Sequence, residues 1–332
     1  MARTIVGLEI NEACVRAVEL SRGKRPALIA AGEVPLPPGA AKDSEVLDTD
    51  AVAMAVTQLW SQAGIKGKEV VVGVANRRIL VREHSTPAIR PDLMRAALPF
   101  DVQDLLPVPP EQAVLDFYPI AESEGQVHGL LVAAVSETIE GLISALNRAR
   151  IRTAAVDFIP FGLARVAKLV APEQTVAVVA IGEHTTNFII AQDGIPRFAR
   201  IIPLDLGLDA AVDLTEQPVE AVPEQLPHAR RAVDAAPADT AAPAVADLIG
   251  RVRTTLSFHA SRPGASPVSA VFLTGAGVGA PGLLQLASAT VGAPVFTVDV
   301  NSLAAAGRGT PPPGRFAASL VTTLGIILGE ER

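Results

Sequence analysis

Cysteine is almost missing from this chain, with one residue, Cys14, in 332. That excludes an internal disulfide framework and any metal site built on several thiolates. Cys14 falls within a run of strand formers, CVRAVEL, where a small buried hydrophobe is its ordinary role. Aromatic residues are scarce, at 4 % with one tryptophan and one tyrosine, so any core must be aliphatic. Basic charge is not in excess. The 28 Lys and Arg residues face 35 Asp and Glu, and the net charge of −7 has the wrong sign for a nucleic-acid footprint. His84, His128, His184, His228 and His259 share no metal-ligand spacing. No apolar run approaches the ~20 residues of a membrane span. The opening MARTIVGLEI enters a strand directly, without the apolar segment of a signal peptide. No Ser/His/Asp, Cys/His or paired-carboxylate pattern is present, so no catalytic residue and no metal ligand is assigned. The expectation is a soluble, cytoplasmic protein whose hydrophobic residues, 49 % of the chain, build a sizeable core in two domains or one split architecture.

What is there begins as a meander. IVGLEI, CVRAVEL and ALIAAGEVPL read as three strands across residues 3–36. Residues 50–63 carry Val52, Val56, Leu59 and Trp60 at helical spacing and stop at Gly64. EVVVGVA is a continuous apolar strand of the kind covered on both faces. A different texture follows from Ile79 to Arg150. It holds a strand, a helix that Pro99 is expected to kink or split, a proline cluster (Pro107, Pro109, Pro110), two strands and an amphipathic helix. The first texture returns at 152–170. A second meander, 176–202, opens another half, and a Pro- and Ala-rich stretch at 210–245 has weak patterning. A helix at 244–260, the strand SAVFLTGAG, a helix after Pro281–Gly282, the strand APVFTVDV and a final helix at 316–328 complete the chain.

Three turns fall at strand ends: LEINEACVR at 8–16, AIGEHTTN at 180–187 and LTGAGVGAPGL at 273–283. Taken alone, the second is an ordinary hairpin and the third an ordinary strand-to-helix loop. Their spacing resembles the actin-like ATPase superfamily, with its two phosphate hairpins and its adenosine turn. Nearly end to end, the chain is similar to the PilM branch of that superfamily, cytoplasmic proteins of type IV pilus assembly related to FtsA. GLEINEACVRAVEL resembles the family's opening strand pair, and LPFDVQDLLPVPPEQAVLDFYPI its helix, proline-rich turn and strand. ARIRTAAVDFIPFGLARV, GEHTTNFIIAQDGIPRFAR and FLTGAGVGAPGLLQLASATVGAPV follow in the family's order.

The fold this resemblance implies is α/β: an actin-like, ribonuclease H-like duplication with two subdomain pairs around a cleft and a small inserted α+β module. Residues 1–78 would form the first subdomain, completed by 151–174 and a C-terminal helix at 316–332. Residues 79–150 would be the module. Residues 175–315 would be the second half, with a divergent, partly flexible excursion at about 207–265.

The resemblance also implies site residues. Backbone N–H groups of Asn11, Glu12 and Ala13 would face β- and γ-phosphates, and Arg16, where the family has a lysine, would bring charge. Gly182 would admit close backbone approach, and Thr185 and Thr186 would donate hydroxyls. Gly275, Ala276 and Gly277 would form a flat surface for the adenosine. Departures accompany these matches. The first-turn aspartate is Glu9, which either holds a cation or pairs with Arg16 across the hairpin. The glycine two residues on is Asn11, and the second-turn aspartate is Ala180, which removes a magnesium ligand. On the 244–260 helix, Arg251 and Thr254 stand where the family turns side chains to the ribose. Glu12 and Glu183 add negative charge to both phosphate turns. ATP and magnesium are therefore expected to bind weakly or not at all, and hydrolysis is not expected.

By the same resemblance the chain would be a scaffold at the inner face of the cytoplasmic membrane, in a type IV pilus or a related type II secretion machine. It would hold the N-terminal tail of a PilN-like inner-membrane protein near 79–90 and 152–160, and self-associate. Two other roles stay open: an ATP-hydrolysing protein whose cleft closure regulates assembly, and an FtsA-like division scaffold. The ending LGIILGEER lacks the basic amphipathic helix that the division role wants.

Overall fold

A computed structural model describes residues 4–203 except 24 and 43, residue 206, strand residues 230–231, and residues 243–329 except 263. The first meander is β1 (Thr4–Ile10), β2 (Cys14–Ser21) and β3 (Leu28–Pro35). A small hairpin, β4 (Ala41–Lys42) and β5 (Glu45–Val46), precedes α1 (Thr49–Ala63) and β6 (Glu69–Val74). Asp48 starts α1 by accepting the N–H groups of Asp50 and Ala51, and Gly64, at φ 66°, ends it in the left-handed conformation. Next come β7 (Leu80–Pro87), α2 (Pro91–Asp101), β8 (Ala113–Ser123), β9 (Gln126–Val135) and α3 (Ser136–Arg148). Then β10 (Arg152–Phe158) and α4 (Ile159–Val170) close the first half. Its sheet has the order β10-β6-β1-β2-β3, with β10, β6 and β1 parallel.

The second half repeats that plan. β11 (Thr175–Ile181), β12 (Thr185–Gln192) and β13 (Ile195–Pro203) form its meander. After β14 (Arg230–Arg231) come α5 (Pro243–Ala260), β15 (Ala270–Thr274), α6 (Leu283–Thr290), β16 (Val295–Thr297) and α7 (Arg315–Gly325). The sheet order is β13-β12-β11-β15-β16-β14. Each sheet is thus an antiparallel meander whose first strand also pairs in parallel with a later strand, which in turn pairs in parallel with another.

Strand periodicity sorts the second core cleanly. Val176, Val178 and Ala180 face the layer between the sheets, while Ala177, Val179 and Ile181 face α5 and α6. The intervening layer is α4 and α7, which pack on each other. α4 also lies on β10, β11, β12 and β13, and α7 on β1, β2, β11 and β15. The two helices cross at Gly162 and Gly325, where a Cβ on Gly162 would stand 2.9 Å from the Gly325 carbonyl carbon. β7, β9 and β8 form a separate three-stranded sheet, joined at Glu124–Gly125 by a two-residue turn with positive φ at both positions. Leu98 and Val102 cover one of its faces at Leu131.

Two expectations change here, at α2 and at the final helix. α2 does not split at Pro99 but runs to Asp101. The proline sits in the last turn, so its missing N–H costs at most one helical bond, and Leu98 and Val102 anchor that turn. Within the excursion at 207–265, the helix expected at 244–260 is present as α5, with Val245, Leu248, Ile249 and Val252 buried. The stretch from 207 to 242 lies outside the described residues apart from β14. The final helix ends at Gly325 rather than 332, with turns following to 329.

The outer edge of β3 is covered by chain from the far end of the sequence. The Leu28 N–H donates to the Ala305 carbonyl at 3.0 Å, and the Gly309 N–H to the Leu28 carbonyl at 3.2 Å. A Cβ on Gly307 would lie 2.1 Å from that Leu28 oxygen. Gly307→Ala is therefore expected to destabilise the protein by about 1–3 kcal/mol, read as a lower urea midpoint with an unchanged slope.

Candidate functional site

The ends of β1 and β11, the β11–β12 turn, the loop after β15 and one side of α7 meet at a cavity of about 60 Å³. That is room for a few waters or a small ion. Eight of the residues proposed from sequence line it: Glu9, Asn11, Glu12, Arg16, Gly182, Thr185, Gly275 and Ala276. Three do not. Thr186 is 1 % exposed, because alternation along β12 turns Thr185 and Asn187 to the cavity and Thr186 to the opposite face. Gly277 is packed against the side chains of Ile181 and Leu206. Ala13 belongs to the turn beside the cavity, where its N–H donates to Asn11 Oδ1 at 2.9 Å.

The first turn is closed on itself. Asn11 Oδ1 also accepts the Cys14 N–H at 2.7 Å, and the Asn11 N–H donates to the Cys14 carbonyl at 3.0 Å. Of the three amides assigned to phosphates, those of Asn11 and Ala13 are taken up within the turn. Arg16 is 5 % exposed and ion-pairs with Glu33 at 2.5 Å, so its charge is already matched. Its Nη1 donates to the Ser319 carbonyl at 3.3 Å. Glu9 stands opposite Arg16 in register, yet its Oε2 accepts the hydroxyls of Thr322 at 2.6 Å and Thr323 at 3.1 Å. The carboxylate is thus held by α7, and the cross-hairpin partner of Arg16 is Glu33.

The second turn is likewise engaged. Glu183 ion-pairs with Arg315 at the start of α7, which offsets the charge it adds. Ala180 and Asn187 are direct cross-strand partners, and both line the cavity. Asn187 is 7 % exposed, and its Oδ1 is buried with no partner among the described residues. A carboxylate at 180 would give that amide, rotated, a hydrogen-bond acceptor; the alanine gives none. On α5, Arg251 pairs with Asp247 at 2.9 Å and Thr254 donates to the Gly250 carbonyl at 2.9 Å. Neither reaches the cavity.

The model of the family described as type IV pilus assembly protein PilM matches residues 7–310. The chain belongs to the PilM family. Among solved structures, it is similar to a chain of a PilM–PilN type IV pilus biogenesis complex. The TM-score is 0.79 at 24 % identity, covering 97 % of both chains. It is also similar to the ethanolamine utilization protein EutJ from Carboxydothermus hydrogenoformans, with a TM-score of 0.53 at 13 % identity, covering 98 % of this chain and 89 % of that one. The α/β, duplicated actin-like fold expected from the sequence is the fold found.

In this PilM-family cleft the residues present do not fit a magnesium nucleotide as folded. The acid expected at the end of β11 is absent, two of the three amides expected to face phosphates are engaged, and Glu9 and Glu12 bring negative charge to the cavity. Ser44, Ala75, Ile159, Asn187, Ser319 and Thr322 also line the cavity and were not singled out from sequence. Ser319 and Thr322 had a readable signal, since polar residues three apart interrupt the otherwise apolar RFAASLVTTLG.

Two outcomes follow. Burial pushes the Cys14 thiol up to about 12, so the native protein should resist iodoacetamide at pH 8 and react once unfolded in urea. Burial alone would raise the Glu33 carboxyl, but Arg16, by charge and hydrogen bond, more than offsets this and holds it below its ordinary value. A depressed acid contributes stability above its unfolded pKa and loses it as pH falls through its folded pKa. Glu33→Gln is thus expected to cost about 1 kcal/mol at pH 7, discounted for partial exposure, and the gap to wild type should shrink in strong acid.

Proposed function

We propose that this chain is a cytoplasmic scaffold of the type IV pilus inner-membrane assembly, or of a related type II secretion system. It holds the N-terminal tail of a PilN-like membrane protein, and its nucleotide site is degenerate. The observation that carries this reading is a pair of neighbouring strand edges. β10 pairs only with β6, and β8 only with β9, among the described strands. Tyr118 of β8 rests on Phe161 of α4 at 5.0 Å between ring centroids, and Phe161 meets Phe158 at the end of β10 at 5.2 Å. The two edges therefore flank one aromatic cluster. Val114 on β8 and Val156 on β10 are exposed at 47 % and 36 %. An extended peptide entering there gains main-chain bonds from an edge and apolar contacts from alternate side chains.

This keeps the 152–160 segment of the sequence-based position, as β10, and moves the other side from the 79–90 strand to β8. β7 lies across the sheet from β8, and its Glu83 ion-pairs with Arg262 after α5. The binding groove is therefore assigned to β8 and β10. No helix among the described residues is long and apolar enough to cross a membrane. On this reading the inserted module ends before α3, because Leu142, Ala145 and Leu146 are part of the main core and α3 packs on α1. The module stays a proposal in its bounds, as does self-association.

Deleting residues 79–150 would strip α3 from that core, so point substitutions make the cleaner test. Val114→Asp and Val156→Asp should each weaken binding of a labelled peptide copy of the tail by about tenfold or more, measured by fluorescence polarisation, with an unchanged thermal melt. Wild-type affinity in both variants would sink the groove. The tail to use is the cytoplasmic N-terminal segment of a PilN-like membrane protein from the same organism.

A further inference from the structure

The turns that line the cleft are tied to one helix. From the first half, Glu9 accepts from Thr322 and Thr323, and Arg16 donates to the Ser319 carbonyl. From the second half, Glu183 pairs with Arg315, and the Ala318 carbonyl accepts the Gly275 N–H at 3.2 Å; the Thr274 hydroxyl donates to the Val298 carbonyl at 2.7 Å, with the Ala318 carbonyl its longer alternative at 3.0 Å. A ligand bridges two lobes of a cleft by touching both. Here residues 315–323 of α7 touch both.

The charges around the first turn of α7 alternate. Arg16 meets Glu33, Arg315 acts electrostatically on Glu33, and Arg315 meets Glu183. The series runs from the β2–β3 edge of the first sheet to the β11–β12 turn of the second. Gly314, at the N-cap of this 11-residue helix, supplies no side-chain acceptor, and the Glu183 carboxylate paired with the first helical residue suits the positive end of the helix dipole. The deeper contacts, Thr322 and Thr323 on Glu9, are buried, whereas the Glu183 and Arg315 side chains are 23 % and 21 % exposed.

We propose that α7 is a built-in latch that closes the cleft in place of a nucleotide, with the Arg315–Glu183 pair as its releasable catch. The inference rests on the degenerate-site reading above. It accounts for why the turns persist where the ligand chemistry has been lost: they are the surfaces the latch grips.

The test is amide hydrogen exchange of the full chain, without partner tail, with and without millimolar Mg-ATP. In wild type, Mg-ATP should change neither the exchange of residues 180–187 and 315–323 nor the melting temperature. Arg315→Ala and Glu183→Ala should each speed exchange in both segments by about tenfold, and the double variant should be no faster than either single one. The swapped pair E183R/R315E should recover much of the protection, which a merely misfolded variant would not. Circular dichroism confirms that each variant is folded. Wild-type exchange in both single variants, with nucleotide silent, overturns the latch alone. Protection of these segments by Mg-ATP in wild type overturns the degenerate-site reading and the latch with it.

Discussion

One helix has to satisfy two sheets at once, and the structure is arranged around that demand. α7 lies between the sheets with α4, and nearly every residue from Ala317 to Gly325 is buried. A buried helix between two aliphatic surfaces has no reason to carry hydroxyls unless they are bonded. Ser319, Thr322 and Thr323 are buried, and each has a bonded role: Ser319 donates to the Phe316 carbonyl, and the two threonines donate to Glu9. A carboxylate as deep as Glu9 in turn needs donors, which a neighbouring strand with its amides already in a ladder cannot supply. The helix and the strand end therefore specify each other.

Most of the fold was legible because its signals are local. The meanders of β1–β3 and β11–β13 announce themselves by β-formers between turn residues, and α1 by its spacing and its glycine stop. The repeat of those meanders also pointed to the duplication that the strand orders display. The site was legible only as far as strand ends and turns go. That Thr185 faces the cavity and Thr186 does not depends on the phase of β12, which a run of six inward-packing residues does not reveal. The partners of Arg16 and Glu9 depend on which of several nearby groups wins. Glu33 lies 17 residues from Arg16, and Thr322 lies 313 from Glu9. No periodicity carries information across such distances. The reading of two added carboxylates as an uncompensated charge was incomplete for that reason, since Arg315 answers Glu183 from the other end of the chain.

The pair Ala180 and Asn187 shows how a strand end can lack an acid without disturbing its sheet. Removing an acid from a strand end leaves a small apolar residue that packs well, and the sheet is undisturbed. The facing Asn187 amide carries a cost of its own, with its oxygen buried and unpartnered among the described residues. An unsatisfied polar atom of that kind is worth about 1–3 kcal/mol, tolerable in a chain with cores this extensive. On the proposed reading, the architecture of the cleft stands intact without the ligand chemistry expected of it.

The covering of β3 by the segment around Ala305 to Gly309 has a consequence for biosynthesis. β3 is made long before the backbone that guards its open edge at Leu28. During translation the first sheet must therefore wait, with unpaired amides and carbonyls on display, until residues 305–309 have left the ribosome. A ribosome that stalls in the second half releases a sheet whose sticky side is uncovered, which makes such fragments natural clients for chaperones and proteases.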